Sequence, residues 1–256
     1  MKIIQIELQY SLQNFNYIIV IENKIAWCID PLDTKKIIKE LEKRELKLVG
    51  IINTHSHFDH IAGNEELLQK YNCKLYTPKN SNIVNSTKEV EDGEELILDS
   101  FTKIQVISTP GHMNVHISLI LIEDGIPKSM FTGDSIFVAG IGNCRNGSVE
   151  SAYETITKTY SELNDDLVIY CGHNYAQNNL KFSRYVEPNN NFRDEILNKI
   201  ENGDELLTTL GDERKINPFF RLDNEQIKNR VEELVGREIE NDRELFFELR
   251  KLRDSW

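Results

Sequence analysis

Seven residues, Thr54-His55-Ser56-His57-Phe58-Asp59-His60, constrain this chain more than any other stretch. They follow the apolar run 49–52 and place three histidines and an aspartate close together. Side chains of extended backbone alternate between faces, so His55 and His57, two apart, point the same way. Asp59 and His60 fall where the chain turns toward the next helix, which lets them face a second ion. Imidazole nitrogens and carboxylate oxygens at this density form a donor set for divalent metals. A His-x-His pair alone arises by chance, whereas the full string after a strand is far more specific.

The rest of the chain repeats one pattern: an apolar strand ends, a small residue turns, and a ligand type follows. Residues 104–107 lead to Thr109-Pro110-Gly111-His112, residues 130–132 to Gly133-Asp134, and residues 167–170 to Gly172-His173. Glycine lets the backbone pass close to a site. Ligands from several strand ends converge at one edge of a sheet. Five of the six histidines fall in these motifs. The sixth, His116, reads as structural or as orienting a ligand.

Period-two apolar runs mark strands at 3–8, 17–21, 25–29, 48–53, 104–107, 117–122, 130–132 and 167–170. Helices are predicted at 34–47, with Ile37, Ile38 and Leu41 on one face, and around 65–71. Beyond residue 174 strand signals vanish, and helical segments follow at 177–186, 192–200, 224–235 and 242–253, punctuated by Pro188 and Asn217-Pro218. The expected organisation is an α/β catalytic domain over 1–174 and a small α-helical, substrate-binding domain over 175–256.

A net charge of −12 argues against a nucleic-acid partner, which calls for a basic surface. An anionic small molecule remains compatible if Arg and Lys gather locally. The four cysteines form no Cys-x-x-Cys pair and read as free thiols in a reducing cytoplasm. The N-terminus lacks the apolar core of a signal peptide, and residues 17–21 are too few to span a bilayer. A cytoplasmic monomer without a membrane partner is expected.

Thr-His-Ser-His-Phe-Asp-His, Pro-Gly-His, Thr-Gly-Asp and Cys-Gly-His together resemble the metallo-β-lactamase superfamily. The resemblance implies an αβ/βα sandwich of two mixed sheets. It assigns His55, His57 and His112 to one metal, Asp59, His60 and His173 to another, and Asp134 as the bridge. Within the superfamily three further features are similar to glyoxalase II (hydroxyacylglutathione hydrolase). Asp134 stands where true β-lactamases use other ligands. The stretch Cys171-Gly172-His173-Asn174-Tyr175 continues through Asn178-Asn179-Leu180 to Val186-Glu187-Pro188. Asn217-Pro218-Phe219 and the terminal Leu249-Arg250-Lys251-Leu252-Arg253-Asp254 complete the match. By this likeness Tyr175, Arg250 and Arg253 contact a glutathione moiety. The chain departs at Asn143, where the family carries a basic residue, and at Arg145, where many members are aromatic. The proposed compensation is that Arg145 supplies the cation missing at Asn143.

The implied reaction is hydrolysis of S-D-lactoylglutathione to D-lactate and glutathione by a hydroxide bridging two divalent ions, with Asp59 orienting it. Zinc is the first choice, and iron or manganese also suits the donors. The thiolate leaves readily, its acid having a pKa of about 8.5, so no general acid is required. The rival readings are a mono-iron persulfide dioxygenase, a thioesterase for another thiol carrier, a non-catalytic binding protein and a nuclease.

Overall fold

A computed structural model describes residues 1–203 and 207–256. These residues form two compact units. The first comprises Met1–Thr109, Val115–Gly133 and Tyr170–Asn174; the second comprises Pro110–Asn114, Asp134–Ile169 and Tyr175–Trp256.

The first unit is built on two sheets. One has the order β1 (Lys2–Glu7), β2 (Phe15–Val20), β3 (Ile25–Ile29), β4 (Lys47–Ile52), β5 (Lys74–Pro78), β6 (Lys88–Val90). Its first three strands pair antiparallel, and β3 to β6 pair parallel, so the sheet is mixed. β3 connects to β4 through α1 (Thr34–Lys43), and β4 to β5 through α2 (Phe58–Ile61) and α3 (Asn64–Tyr71). The second sheet contains β7 (Glu95–Ile97), β8 (Thr102–Ser108), β9 (Ile117–Glu123) and β10 (Ile126–Gly133), all pairing antiparallel. Beyond β10, strand Val168–Cys171 brings Gly172 to Gly133, whose carbonyl accepts from the Gly172 N–H at 2.7 Å.

Alternating side chains give the first sheet two apolar faces. Ile19, Trp27, Ile29 and Ile52 pack against Ile104, Leu119, Leu121 and Phe131 of the second sheet. Ile18, Cys28 and Ile51 point the other way, onto Ile37 and Leu41 of α1 and Leu67 of α3. Burying each large apolar side chain stabilises by about 1.5–3 kcal/mol, so the sheet is fixed on both sides. The register Cys28↔Ile51, Ile29↔Ile52 then brings Asp30 and Thr54 out side by side at the C-terminal edge of the parallel strands.

The second unit carries a hairpin, β11 (Ile136–Phe137) with β12 (Gly140–Ile141), and the helices α4 (Val149–Glu154), α5 (Ala176–Val186), α6 (Asn191–Glu201), α7 (Leu210–Ile216), α8 (Glu225–Val235) and α9 (Asp242–Asp254). Val138, Ala176, Leu180, Ile196, Leu197 and Ile216 form its apolar centre. No helix among the described residues is long and apolar enough to cross a membrane.

The structure adds β5, β6, β7 and the hairpin β11–β12, none assigned from sequence, and corrects three further local readings. The helix predicted to reach residue 47 stops at Lys43, because Glu45 takes a left-handed φ of 53° and Lys47 already starts β4. Residues 149–162, given no element from sequence, hold α4 continued by a π-helix, Thr155–Thr159, and a short 3-10 turn. Its Thr-Ile-Thr-Lys-Thr run is β-branched and hides the helical signal. Helix α7 was also unassigned; it is short but closed by a capping box between Thr209 and Asp212.

Within the second unit one buried carboxylate ties the hairpin to α7. Glu213 is fully buried and accepts from the Ala139 N–H (2.8 Å), the Thr208 hydroxyl (2.8 Å) and the Asn217 amide (2.9 Å). Burial pushes its pKa from 4.5 to about 8, against those hydrogen bonds. The folded protein therefore holds a proton that the unfolded chain releases, and this contribution to stability fades as pH rises from about 4.5 to about 8. Glu213→Gln should remove it: the unfolding free energy of the parent relative to the variant is expected to fall with pH across that window. The limiting slope is about 1.4 kcal/mol per pH unit. Denaturant titrations at several pH values measure it, and parallel pH profiles for both proteins would contradict it.

Candidate functional site

Asp30 is almost fully buried at the end of β3, held at a left-handed φ of 48°. Its Oδ1 accepts from the Thr54 N–H at 2.8 Å. Its Oδ2 accepts from the Thr54 hydroxyl at 2.6 Å and from His60 Nδ1 at 3.0 Å. Thr54 has one hydroxyl proton and spends it on Asp30, so its oxygen accepts from His55 Nδ1 at 3.0 Å. One carboxylate thus places the proton on Nδ1 of two histidines and leaves Nε2 of each as a lone pair. Asp30 lies within ligand distance of His55 and His60, but its oxygens are consumed by these donors. Its role is to orient the imidazoles.

His173 is fixed in the same way, by the Leu12 carbonyl, which accepts from its Nδ1 at 2.7 Å. The Nε2 atoms of His60 and His173 consequently face each other at 3.2 Å. Asp59 Oδ2 lies 3.6 Å from the first and 3.4 Å from the second. Three acceptors turned on one another repel unless a proton or cation lies among them, and this is the donor chemistry of a divalent transition metal. His55 Nε2 likewise faces His57 Nδ1 at 3.1 Å. His116 is buried, bonded through Nδ1 to Thr109 Oγ1 at 2.8 Å, and its ring stacks on His55 at 5.0 Å. That contact requires Gly133, which has φ 48°: a Cβ there would come within 2.5 Å of Thr54 Oγ1 and 2.9 Å of His116 Nε2.

The second unit contains a donor pair of its own. His112 Nδ1 donates to the Asn143 carbonyl at 2.7 Å, so its Nε2 lone pair faces Asp134 Oδ2 at 3.4 Å. Both residues line a cavity of about 240 Å³ that also takes in Phe137, Asn143, Arg145, Tyr175, Arg250 and Arg253. Arg250 is 3% exposed; its Nη1 donates to the carbonyls of Ile141 (3.1 Å) and Gly142 (3.3 Å), and its Nη2 pairs with Asp254 at 2.7 Å. Read without a family likeness, Arg250 and Arg253 fall on a solvated helix face; the structure instead buries Arg250. Arg253 is held by Asn179 Oδ1 at 3.0 Å, and the Asn179 amide donates to the Val138 carbonyl. Tyr175 packs edge-on against Phe137, and Arg145 is exposed. Burial lowers the pKa of both Arg250 and Arg253; Arg145 lowers that of Arg250 further, and Arg250 lowers that of Arg253. Arg250 is thus paired with Asp254, and Arg145 and Arg253, bordering the same cavity, can serve as a seat for anions. Burial pushes the Cys144 thiol up to about 11, so it stays protonated and offers no nucleophile.

Thus the first unit brings together His55 with His57, and Asp59 with His60 and His173. The second brings His112 and Asp134 to the same cavity as Asn143, Arg145, Tyr175, Arg250 and Arg253. Sequence reasoning missed Asp30, Thr54, the Leu12 carbonyl and Asn14, whose amide donates to Asp59 Oδ2 at 2.9 Å. An acid, Asp30, directly after the apolar strand 25–29 was the available signal.

The family model described as hydroxyacylglutathione hydrolase C-terminus matches residues 174–256, and that of the metallo-beta-lactamase superfamily matches residues 17–173. A cytoplasmic hydroxyacylglutathione hydrolase of Arabidopsis thaliana is 33% identical over 226 residues, covering 85% of this chain and 88% of its own. A hydroxyacylglutathione hydrolase of Nitrosococcus oceani is 33% identical over 253 residues, 95% of each chain. Among solved structures, ETHE1 from Myxococcus xanthus superposes with a TM-score of 0.66 at 24% identity, over 85% of this chain and 84% of that one. That last likeness is one of fold.

Asp30→Ala removes the acceptor for Thr54 N–H and for His60 Nδ1. Each buried donor so stranded costs about 1–3 kcal/mol, and loss of the orienting carboxylate weakens metal binding about 10–100-fold. Thermal unfolding of the metal-free protein and competition with a zinc chelator should show both effects. Unchanged zinc affinity would remove Asp30 from this role.

Proposed function

This chain belongs to the hydroxyacylglutathione hydrolase family, thioester hydrolases on the metallo-beta-lactamase fold, and from that premise we propose that it hydrolyses S-(2-hydroxyacyl)glutathione. S-D-lactoylglutathione is the foremost substrate, and D-lactate and glutathione are its products. The observation that carries the reading is the cavity bordered by Arg145, Arg250 and Arg253 and also lined by His112 and Asp134. Glutathione presents two carboxylates, and in a chain with a net charge of −12 such a gathering of cations has a specific use.

The metal assignment follows the family: His55, His57 and His112 for one divalent ion, Asp59, His60 and His173 for another, Asp134 shared, with zinc preferred. The lone pairs of His60, His173 and Asp59 turned on one another fit such ions. When bound, divalent ions lower the pKa of water toward about 7 and polarise an acyl carbonyl. The protein's own contribution is positional. Asp30, Thr54 and Leu12 hold the imidazoles in one tautomer. Asp59 orients the attacking hydroxide. Arg145 and Arg253, with Tyr175, hold the carboxylates of the thiol carrier. The Arg250 Nη atoms, held by two carbonyls and Asp254, keep the 141–142 wall in place. The departing thiolate is stable enough to leave without an acid. The protein acts as a cytoplasmic monomer in this reading.

The rival reading is a mono-iron persulfide dioxygenase, and the two reactions differ in their need for oxygen. S-D-lactoylglutathione should be hydrolysed at the same rate with and without oxygen. Sulfite release from glutathione persulfide with no thioester cleavage would overturn the proposal.

Arg145 stands two residues beyond Asn143, and its charge lowers the pKa of Arg250. A charge-assisted hydrogen bond is worth about 1.5–3 kcal/mol, and each factor of ten corresponds to about 1.4 kcal/mol. Arg145→Ala should raise KM for a glutathione thioester about tenfold or more while leaving kcat nearly unchanged, the signature of lost uniform binding. A small thioester lacking these carboxylates should be insensitive. An unchanged KM would favour a different thiol carrier.

A further inference from the structure

The loop between β1 and β2 holds two of the three donors of the Asp59–His60–His173 group. Its Leu12 carbonyl accepts from His173 Nδ1. Asn14, 1% exposed, donates its amide to Asp59 Oδ2 at 2.9 Å and approaches the Asp59 carbonyl at 3.4 Å. Asn14 also bridges to His173 through the backbone. The loop itself is pinned: Leu8 N–H donates to the Asn14 carbonyl, Phe15 N–H to the Gly172 carbonyl, and Asn174 N–H to the Gln13 carbonyl, all at 2.8–2.9 Å.

One detail gives this amide its meaning. Asn14 Oδ1 is buried and has no hydrogen-bond partner among the described residues. A side chain serving only to fill space would carry less cost as an apolar group, because an unsatisfied buried acceptor is unfavourable. What the asparagine contributes is the donor half of its amide, and that donor ends on Asp59.

We propose that Asn14 is a positioning residue for the Asp59–His60–His173 half-site, setting the affinity of that half-site for its metal ion through Asp59. The amide fixes the rotation of the carboxylate, so that Oδ2 meets the Nε2 atoms of His60 and His173. Without it the carboxylate, partly open to solvent, turns freely and the ion loses one ordered ligand. The Asn14 amide ends on Asp59, so the other ion should be unaffected. The inference rests on the two-ion reading above.

The test is an equilibrium zinc titration of the metal-free full-length protein against a chromophoric chelator. Parent, Asn14→Leu, Asn14→Ala, Asp59→Ala and the Asn14→Leu/Asp59→Ala double variant are compared. The parent should bind two equivalents; a parent binding one or none would sink the two-ion reading itself. Given two, Asn14→Leu should weaken one equivalent about tenfold or more and leave the other as in the parent. In the Asp59→Ala background Asn14→Leu should have little further effect, since an interaction acting through Asp59 is already lost. Asn14→Ala repeats the test in a smaller side chain should leucine disturb folding. Two parent-like equivalents in both Asn14 variants, equal weakening of both equivalents, or effects that add in the double variant would overturn the assignment of Asn14.

Discussion

A single carboxylate, that of Asp30, decides which way two metal-type histidines can use their lone pairs. It accepts directly from His60 and, through Thr54, sets the proton of His55. Were either imidazole to flip its tautomer, Nε2 would carry a hydrogen and the donor set would close. The Asp30 position depends on the parallel pairing of β3 with β4, which in turn depends on apolar side chains buried on both faces of the first sheet. Core packing therefore reaches the chemistry through one strand register: a slip of one residue would turn Asp30 away from Thr54.

The second unit solves a different problem. Its cavity is bordered by three guanidinium groups, of which Arg250 is spent on structure. The Arg250 Nη groups are engaged with two carbonyls and Asp254, while the Arg253 guanidinium is held by Asn179 and Arg145 is exposed. The wall of this cavity is held along residues 138–143: Asn179 takes the Val138 carbonyl, Glu213 the Ala139 N–H, Asn217 the Gly140 carbonyl, Arg250 the next two carbonyls and His112 that of Asn143. A backbone so fully bonded moves little, which is what a positioned substrate requires.

The metal-type residues were legible because they crowd into one short string and recur after strand ends. Their orienting partners were not. Asp30, Asn14 and the Leu12 carbonyl reach the histidines only through strand pairing between segments far apart in sequence, and a backbone carbonyl leaves no mark in the residue alphabet. The longer strands and the long helices mostly followed from periodicity, whereas β5 and the short strands β6, β7, β11 and β12 were not read from it. The β-branched run at 155–159 hid a helical turn, and the left-handed Glu45 ended α1 earlier than its pattern implied. Arg250 and Arg253 share a helix face by spacing, but spacing does not reveal that one is buried against carbonyls and the other is not.

The central claim is that a preset tautomer pattern presents Nε2 lone pairs to metal ions. Anomalous diffraction from zinc-loaded crystals tests it most directly. The account predicts an ion bound by Asp59 and by Nε2 of both His60 and His173, with Nδ1 of His60 still on Asp30 and Nδ1 of His173 still on the Leu12 carbonyl. Zinc bound through Nδ1 of either histidine, or no anomalous peak at these residues, would contradict it.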